Sequence, residues 1–261
     1  MLPLWPLAAV AAVAVLAMAA TWELQRRTRN AGYVDVVWAG LMAASALFYS
    51  VVGVGADLPR LLVALLGGLW GLRLALHLLA RVLREPEDGR YRYLRQHWQD
   101  DQRRFFAFFM AQAASVALFS LPFLVAASNH ATRGSGWFVA AVALWVFALG
   151  GEWLADRQLA TFRADPGNRG RVCRVGLWSW SRHPNYFFEW LHWFAWVLLS
   201  IGSPWWWLSL AGPLLMGASL LWLTGIPFVE QQALRSRGEA YRQYQRETSK
   251  FFPWPPRRPQ P

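Results

Sequence analysis

One polar stretch, residues 152–189, holds the side chains best suited to chemistry, and it lies between long apolar runs. Its candidate cofactor-binding residues are Glu152, Asp156, Arg163, Arg171, Arg182, His183, Asn185, Tyr186 and Glu189. Asn185 and Glu189 share one helix face, where an amide and a carboxylate could meet a carboxamide or a ribose. Three of the arginines offer planar guanidinium groups for phosphate. The stretch therefore predicts a site for an anionic, nucleotide-like cofactor.

The backbone of this stretch is also suited to an anion. Gly167, Gly170 and Gly176 carry no side chain, so a phosphate can approach the main chain closely. No Gly-x-Gly-x-x-Gly motif follows a strand, which excludes a Rossmann domain. Pro184 suits the first turn of a helix, because its missing N–H would have no partner there anyway. We therefore expect the cofactor at the junction of two helices.

A second set of ionisable residues lies within apolar runs of the first half of the chain. Such groups are costly at membrane depth and are retained mostly where they line a cavity. Asp35 is the candidate catalytic donor, because an apolar surrounding would keep it protonated and able to donate a hydrogen bond. Tyr33 and His77 are the alternative catalytic candidates. A purely structural ion pair between Asp35 and Arg73 is the competing interpretation.

The composition is that of a membrane protein. Of the 261 residues, 56% are hydrophobic and only 16% are charged, whereas about a quarter of a soluble domain is charged. The apolar residues form long runs, and a bilayer span needs roughly 20 of them. We expect an all-α, polytopic protein with a single membrane domain, in contact with lipid and located in the bacterial inner membrane. A monomer is the simplest expectation for its assembly.

The candidate transmembrane helices are the seven apolar runs 2–22, 33–54, 58–80, 105–127, 137–155, 186–201 and 205–225. The loops between them are alternately rich and poor in arginine, and the fourth loop contributes only Arg133. Since positively charged loops stay in the cytoplasm, this alternation predicts an outside N-terminus and a cytoplasmic C-terminus. We also expect a short interfacial helix within 85–104, an amphipathic helix over 230–250 and a frayed end at 257–261.

Net charge and cysteine content narrow the classes of function. The formal charge is +11, but the basic residues lie in loops beside apolar spans and no nucleic-acid-binding motif accompanies them. Nucleic acid is therefore not an expected partner. Cys173 is the single cysteine, which excludes an intramolecular disulfide and a zinc site built on several thiolates. No metal site is expected.

The polar stretch resembles the steroid 5α-reductase family, a group of NADPH-dependent membrane reductases with bacterial relatives of the DUF1295 type. The matching residues are Asp156, Leu159, Arg163, Arg171, Gly176-Leu177, Asn185-Tyr186 and Glu189-Trp190, and more weakly Tyr241, Tyr244 and the closing Phe-Phe-Pro. The resemblance implies seven helices, with an apolar substrate cavity in 1–127 and NADPH held by 128–261. It also implies cofactor contacts from Asp156, Arg163, Arg171, Asn185 and Glu189.

A second resemblance is to the isoprenylcysteine carboxyl methyltransferases and phospholipid methyltransferases. These carry an Arg-His-Pro-x-Tyr segment, a later glutamate and an aromatic-Pro ending, which correspond here to residues 182–186, Glu230 and 251–253. In the methyltransferases a small residue follows the tyrosine closely and admits S-adenosylmethionine. The bulky Phe187 and Phe188 favour the reductase. A non-enzymatic lipid-binding or scaffold protein is the third alternative.

The reaction implied by the reductase resemblance is reduction of a C=C bond conjugated to a carbonyl, in an apolar, steroid-like substrate such as a 3-oxo-Δ4 steroid. Charge then develops on the carbonyl oxygen, so a donor aimed at that oxygen would supply most of the catalysis. Asp35 is the predicted donor. The cofactor supplies the redox chemistry, and the protein orients and polarises the substrate.

Overall fold

The computed structural model of the chain describes residues 2–131, 136–223 and 225–256. Within these ranges the regular elements are helical, apart from an isolated bridge between Ser181 and Ser249. The predicted all-helical class is thus confirmed for the described residues. Arg133 of the predicted charge alternation and the predicted frayed end 257–261 lie outside them. The chain divides into unit 1, residues 1–138 with 196–212, and unit 2, residues 139–195 with 213–261.

Unit 1 contains the first helices of the chain: α1 (Trp5–Thr28), α2 (Tyr33–Val52), α3 (Asp57–Leu62), α4 (Gly68–Arg84), α5 (Gly89–His97) and α6 (Gln102–Ala127). A π-helical turn, Val63–Gly67, joins α3 to α4. Helix α1 packs on α6, and α2 packs on both α4 and α6. Gly71 permits the close approach of α4 to α2, because a Cβ there would lie 2.7 Å from the backbone nitrogen of Ala43. The interfacial helix expected within 85–104 is α5.

The core of unit 1 is rich in buried aromatic rings. Trp70, Tyr49, Phe105 and Phe109 are each less than 2% exposed. The Tyr49 hydroxyl lies 3.0 Å from Ser120 Oγ, so this buried polar group has a partner. Since lipid is as apolar as these rings, close packing rather than exclusion of water stabilises the arrangement.

Most of unit 2 is formed by α7 (Gly136–Ala164), α8 (Pro184–Ser200), α9 (Ala211–Ala218) and α10 (Ile226–Glu247). Helix α7 continues past the predicted end of the fifth span at residue 155 and so carries Asp156 and Arg163 on helical backbone. Helix α8 begins at Pro184, as the sequence predicted. Gly151 lets the ring of Phe188 lie against α7, because a Cβ at Gly151 would come within 2.4 Å of that ring.

Six helices of the described chain are long and apolar enough to cross a membrane: Trp5–Thr28, Tyr33–Val52, Asp57–Arg84, Gln102–Ala127, Gly136–Ala164 and Trp206–Glu247. This is the pattern of a polytopic membrane protein. The predicted sixth span is α8, a helix of 17 residues. The predicted seventh span, 205–225, is a succession of 3₁₀, α and π turns rather than one α-helix. Gly225, the last residue of that run and the residue before α10, has a non-helical backbone with a φ of −89° and a ψ of −102°.

Helix α10 is the amphipathic helix expected over 230–250. It carries charged residues from Glu230 to Glu247 and therefore lies beyond the apolar part of the chain. Gly238 adopts φ +50° and ψ −123°, which bends the helix sharply. Only glycine adopts this backbone conformation readily.

Candidate functional site

The predicted site residues fall into two groups, one in each unit. The predicted catalytic residues Tyr33, Asp35 and His77 belong to unit 1. The predicted cofactor-binding residues, from Glu152 to Tyr244, all belong to unit 2. Each group is described by itself.

Asp35 lies in the first turn of α2 and is held by α5. The hydroxyl of Tyr91 donates to Asp35 Oδ1 at 2.7 Å, and Nη2 of Arg90 donates to Oδ2 at 3.0 Å. Both carboxylate oxygens therefore accept hydrogen bonds, which suits an ionised carboxylate and makes Tyr91 the proton-bearing member of the pair. The counter-ion of Asp35 in this ion pair is Arg90, not the expected Arg73. The role of Asp35 as a donor to substrate stays a prediction.

Further charges extend this network along the loop between α4 and α5. Asp88 accepts from Nη2 of Arg81 at 2.7 Å and from Nε of Arg90 at 3.2 Å. Burial opposes ionisation of Asp88, but the hydrogen bond from the Arg90 N–H and the two guanidinium groups lower its pKa below the usual value. Burial, together with the charge of Asp35, raises the pKa of Tyr91 well above its usual value. The network thus alternates in charge and ends at a protonated phenol.

The two alternative catalytic candidates are not linked to this network. Tyr33 is partly buried in the first turn of α2, and His77 is exposed on α4. Among residues 2–131, 136–223 and 225–256, no hydrogen bond or ion pair joins either side chain to Asp35. Their catalytic roles stay predictions.

In unit 2, Asp156 and Asn185 come together at the junction of α7 and α8. Nδ2 of Asn185, in the first turn of α8, donates to Oδ1 of Asp156 at 3.0 Å. Both residues retain exposure to solvent. The structure therefore places an amide beside a carboxylate at the junction of two helices, but the carboxylate is that of Asp156 on α7, whereas the sequence predicted Glu189 on the same face as Asn185.

The segment before α8 is fixed along α7 by two further hydrogen bonds. Nε1 of Trp178 donates to the carbonyl of Ala155 at 2.8 Å, and the N–H of Leu177 donates to Oε1 of Gln158 at 2.9 Å. Gly176 makes the second contact possible, because a Cβ there would lie 2.3 Å from the Gln158 amide nitrogen. The position of Asn185 beside α7 thus follows from the backbone that precedes it.

Arg163 and Arg171 are exposed and have guanidinium groups available for an anion. Within the part of the chain that the structure describes, neither guanidinium forms an ion pair or a hydrogen bond. Arg163 follows Asp156 by two helical turns and projects from the same side of α7. Gly170, beside Arg171, adopts φ +77° with no atom within 4 Å of the place a Cβ would occupy. The segment therefore offers both exposed positive charge and open backbone.

Arg182 and His183, in contrast, are directed to internal partners. Nε of Arg182 donates to Oε1 of Glu230 at 2.6 Å, and its Nη1 donates to the carbonyls of Gln245 and Thr248 at 3.0 and 2.8 Å. Nε2 of His183 lies 3.2 Å from the same Glu230 oxygen. The side chains of Arg182 and His183 are only 9% and 3% exposed. For Arg182 or His183 to contact a cofactor, as predicted, the cofactor would have to replace these internal hydrogen bonds.

Glu230 is the centre of that network. Burial opposes its ionisation, but the hydrogen bonds from His183 and Arg182 more than compensate and lower the pKa of Glu230 to about 2. Nε2 of Gln245 donates to its second oxygen at 3.0 Å. On a straight helix, residues 230 and 245 would be about 22 Å apart. The bend at Gly238 therefore brings the two ends of α10 together around Glu230.

The remaining predicted cofactor residues occupy different surroundings. The hydroxyl of Tyr244 donates to the carbonyl of Trp178 at 2.5 Å, and that of Tyr241 lies 3.5 Å from Glu230. The ring of Tyr186 stacks on His183 with centroids 5.6 Å apart.

Glu189 accepts a long hydrogen bond of 3.4 Å from Nε1 of Trp193 on α8. Glu152 is partly buried on α7, one turn before Asp156. The predicted cofactor contacts of Glu152 and Glu189 stay predictions.

Two groups of residues were not identified from the sequence as parts of these sites. Arg90 and Tyr91 meet Asp35 across 55 and 56 positions of the chain, a pairing that no local spacing reveals. Gln245 reaches Glu230 only because of the bend in α10. The one available signal was Gly238 within an otherwise helical amphipathic pattern, since an isolated glycine there weakens a helix.

Together these features define a class: an all-helical chain with several membrane-length helices whose polar side chains gather at helix ends. Residues 21–248 match DUF1295, a family described as of unknown function. The chain belongs to the DUF1295 family. An uncharacterised protein of Schizosaccharomyces pombe is 26% identical over 267 residues, covering 89% of this chain and 75% of that protein. No solved structure matches the chain.

Proposed function

We propose that this protein is an NADPH-dependent membrane reductase, related to the steroid 5α-reductases, that acts on a C=C bond conjugated to a carbonyl in an apolar, steroid-like substrate. The proposal includes seven membrane spans with α8 as the sixth, an outside N-terminus and a cytoplasmic C-terminus. It places the protein in the bacterial inner membrane. The alternation of arginine-rich and arginine-poor loops supports this orientation.

The observation that carries the proposal is the pair of exposed, unpaired guanidinium groups of Arg163, near the end of α7, and Arg171, in the loop between α7 and α8. NADPH is an anion with several phosphate oxygens, for which arginine is the preferred partner. Beside them, Asp156 and Asn185 present a carboxylate and an amide that can bind hydroxyl and carboxamide groups. These residues fit a phosphorylated dinucleotide. When bound, its reduced nicotinamide supplies a hydride.

S-Adenosylmethionine is the cofactor of the alternative function, a membrane methyltransferase. Contact among Arg182, His183 and Glu230 favours this alternative, since these residues make up its Arg-His-Pro and glutamate pattern. However, S-adenosylmethionine has no phosphate. Its one carboxylate can pair with one guanidinium, but its sulfonium and ammonium are repelled by a second unpaired arginine. The arginines of the α7–α8 segment therefore support the reductase over the methyltransferase.

The test is equilibrium binding of NADPH, NADH and S-adenosylmethionine to the detergent-purified protein. Arg163→Ala and Arg171→Ala should each weaken NADPH binding roughly 10- to 100-fold, the effect of losing one charge-assisted hydrogen bond. Arg242→Ala is the matched control, because Arg242 is an exposed arginine paired with Glu239 on α10. Its NADPH affinity should not change.

Two results would count against the reductase. Binding of S-adenosylmethionine but not of NADPH by the unmodified protein would favour the methyltransferase. Equal loss of NADPH affinity in all three arginine variants would mean that general positive charge, and not this segment, attracts the nucleotide. A nucleotide that co-purifies with the protein can be identified by its mass and by the absorbance of reduced nicotinamide.

A further inference from the structure

A narrow cleft opens beside Asp35, entirely within unit 1. Its volume is about 310 Å³ when the open solvent at its mouth is included. Leu78 and Val82 of α4 supply an apolar wall, while Asp35, Arg81 and Asp88 supply polar groups. Leu78 and Val82 are four residues apart and so lie on one side of α4. The cleft therefore exposes the Asp35 carboxylate alongside a hydrophobic helix face.

The polar groups of the cleft connect solvent to a buried phenol. The side chain of Arg81 is 45% exposed, and that of Asp35 is still 28% exposed. Tyr91, which donates to Asp35, is only 3% exposed. Asp35 thus links the cleft to the buried hydroxyl of Tyr91 by a hydrogen bond.

The character of the lining indicates what the cleft can hold. The space inside it is large enough for about one water molecule at a time, and water needs the polar partners that the lining provides. A metal cation is disfavoured, because Asp35 and Asp88 are already paired with Arg90 and Arg81. An organic ligand enclosed by the cleft is disfavoured by size, although Leu78 is itself partly exposed and can be reached from the mouth. Water is the occupant that fits.

We propose that this cleft is a water-filled port through which protons reach the Asp35–Tyr91 pair. The inference rests on the proposed function for what the proton is used for. Reduction of a C=C bond takes a hydride from NADPH and a proton from water, so that the C=C bond is reduced and the nucleotide is oxidised. A proton given up by the Asp35–Tyr91 pair is then replaced from water in the cleft, through the partly exposed carboxylate of Asp35.

Cysteine reactivity in the membrane tests whether the port holds water. In a Cys173→Ala background, Leu78→Cys lines the cleft, whereas Leu76→Cys is the control on the same helix, 57% exposed on its outer surface. The probe is a charged, membrane-impermeant methanethiosulfonate. We expect Leu78→Cys to react at least about tenfold faster, since a thiol in lipid with its pKa raised by one unit has about a tenth of the reactive thiolate. Equal rates would overturn the proposal.

Blocking the folded port tests whether it delivers protons. Leu78→Cys is labelled with a bulky aromatic methanethiosulfonate after purification, so folding is not affected. Turnover of an enone substrate should fall while NADPH affinity stays unchanged, and labelled Leu76→Cys should keep its turnover. Full turnover in a completely labelled Leu78→Cys protein would refute the delivery role.

A second plug is Gly32→Val, because a Cβ at Gly32 would lie 3.1 Å from a methyl group of Val82. This variant should protect Leu78→Cys from the charged reagent, and unchanged labelling would speak against a single continuous cleft. Failure of the proposed function appears separately, as absence of NADPH binding by the unmodified protein. The thiol reactivities decide on water in the cleft in either case.

Discussion

Replacement of Glu230 by alanine should destabilise unit 2 more than any exposed charge substitution. Its carboxylate accepts hydrogen bonds from Arg182 at 2.6 Å, Gln245 at 3.0 Å and His183 at 3.2 Å. Glu230→Ala leaves the buried guanidinium of Arg182 without its counter-ion. Breaking a buried pair in this way costs about 3–5 kcal/mol. Since Glu230 itself is 14% exposed, we expect about 3 kcal/mol, at the lower end of that range.

The assay is thermal unfolding of the detergent-purified protein, followed by tryptophan fluorescence. A loss of about 3 kcal/mol corresponds to a fall in Tm of roughly 6–12 °C for a chain of this size. Glu239→Ala is the matched control. Glu239 lies on the same helix and pairs with Arg242 and Arg246, but its side chain is 66% exposed. Because exposed ion pairs contribute little, the control should unfold at the unmodified temperature.

A double-mutant cycle separates the ion pair from general disruption of α10. If Arg182 and Glu230 stabilise the protein through each other, Arg182→Ala combined with Glu230→Ala should cost clearly less than the sum of the single changes. Strict additivity would contradict a direct interaction. A Tm for Glu230→Ala equal to that of Glu239→Ala would refute the whole interpretation of Glu230 as the centre of the network.

Further predictions follow from the same contacts. The pKa of Glu230 is 4.5 in the unfolded chain and about 2 in the folded chain. The contribution of Glu230 to the free energy of unfolding is therefore complete above about pH 5 and disappears as the pH falls towards 2. The Tm difference between the unmodified protein and Glu230→Gln should narrow over the same range. Gly238→Ala should cost about 1–3 kcal/mol from backbone strain alone, whereas Gly150→Ala, equally free of neighbours but helical, should be neutral or slightly stabilising in the same unfolding assay. Asp35→Ala should lose most turnover of an enone substrate, and Asp35→Asn should retain NADPH binding; unchanged turnover in Asp35→Ala would remove Asp35 from catalysis.

The sequence was informative wherever a property depends on neighbours along the chain. Apolar runs predicted membrane-length helices, and Pro184 predicted the start of α8. The continuation of α7 to Ala164 goes beyond the predicted end of the fifth span, although the helical spacing of Asp156 and Arg163 is compatible with it. In each case a local rule, helical period or a missing N–H, is sufficient. The predicted seventh span belongs to a segment of the structure that is long and apolar enough to cross a membrane, Trp206–Glu247. Its succession of 3₁₀, α and π turns is a feature that hydropathy does not register.

Long-range pairing was not accessible in the same way. The ion pair of Asp35 with Arg90 joins residues 55 positions apart in the chain, and the alternative pairing with Arg73 rested on apolar surroundings alone. Gln245 reaches Glu230 through the bend at Gly238. A single φ of +50° thus determines which side chains meet, and no propensity scale for helices contains that information.

The Arg-His-Pro-Asn-Tyr segment shows why a shared pattern need not indicate a shared cofactor. Arg182 ties the segment to both Glu230 and the carbonyls at the end of α10. This contact holds α10 against the start of α8 whatever nucleotide binds nearby. Two families that share the architecture would therefore keep these residues for folding. Discrimination between a phosphorylated dinucleotide and a sulfonium then has to come from residues whose charges are not already paired, such as Arg163 and Arg171. If both can be replaced without loss of NADPH affinity, the reductase loses its physical basis, even though the shared pattern remains intact.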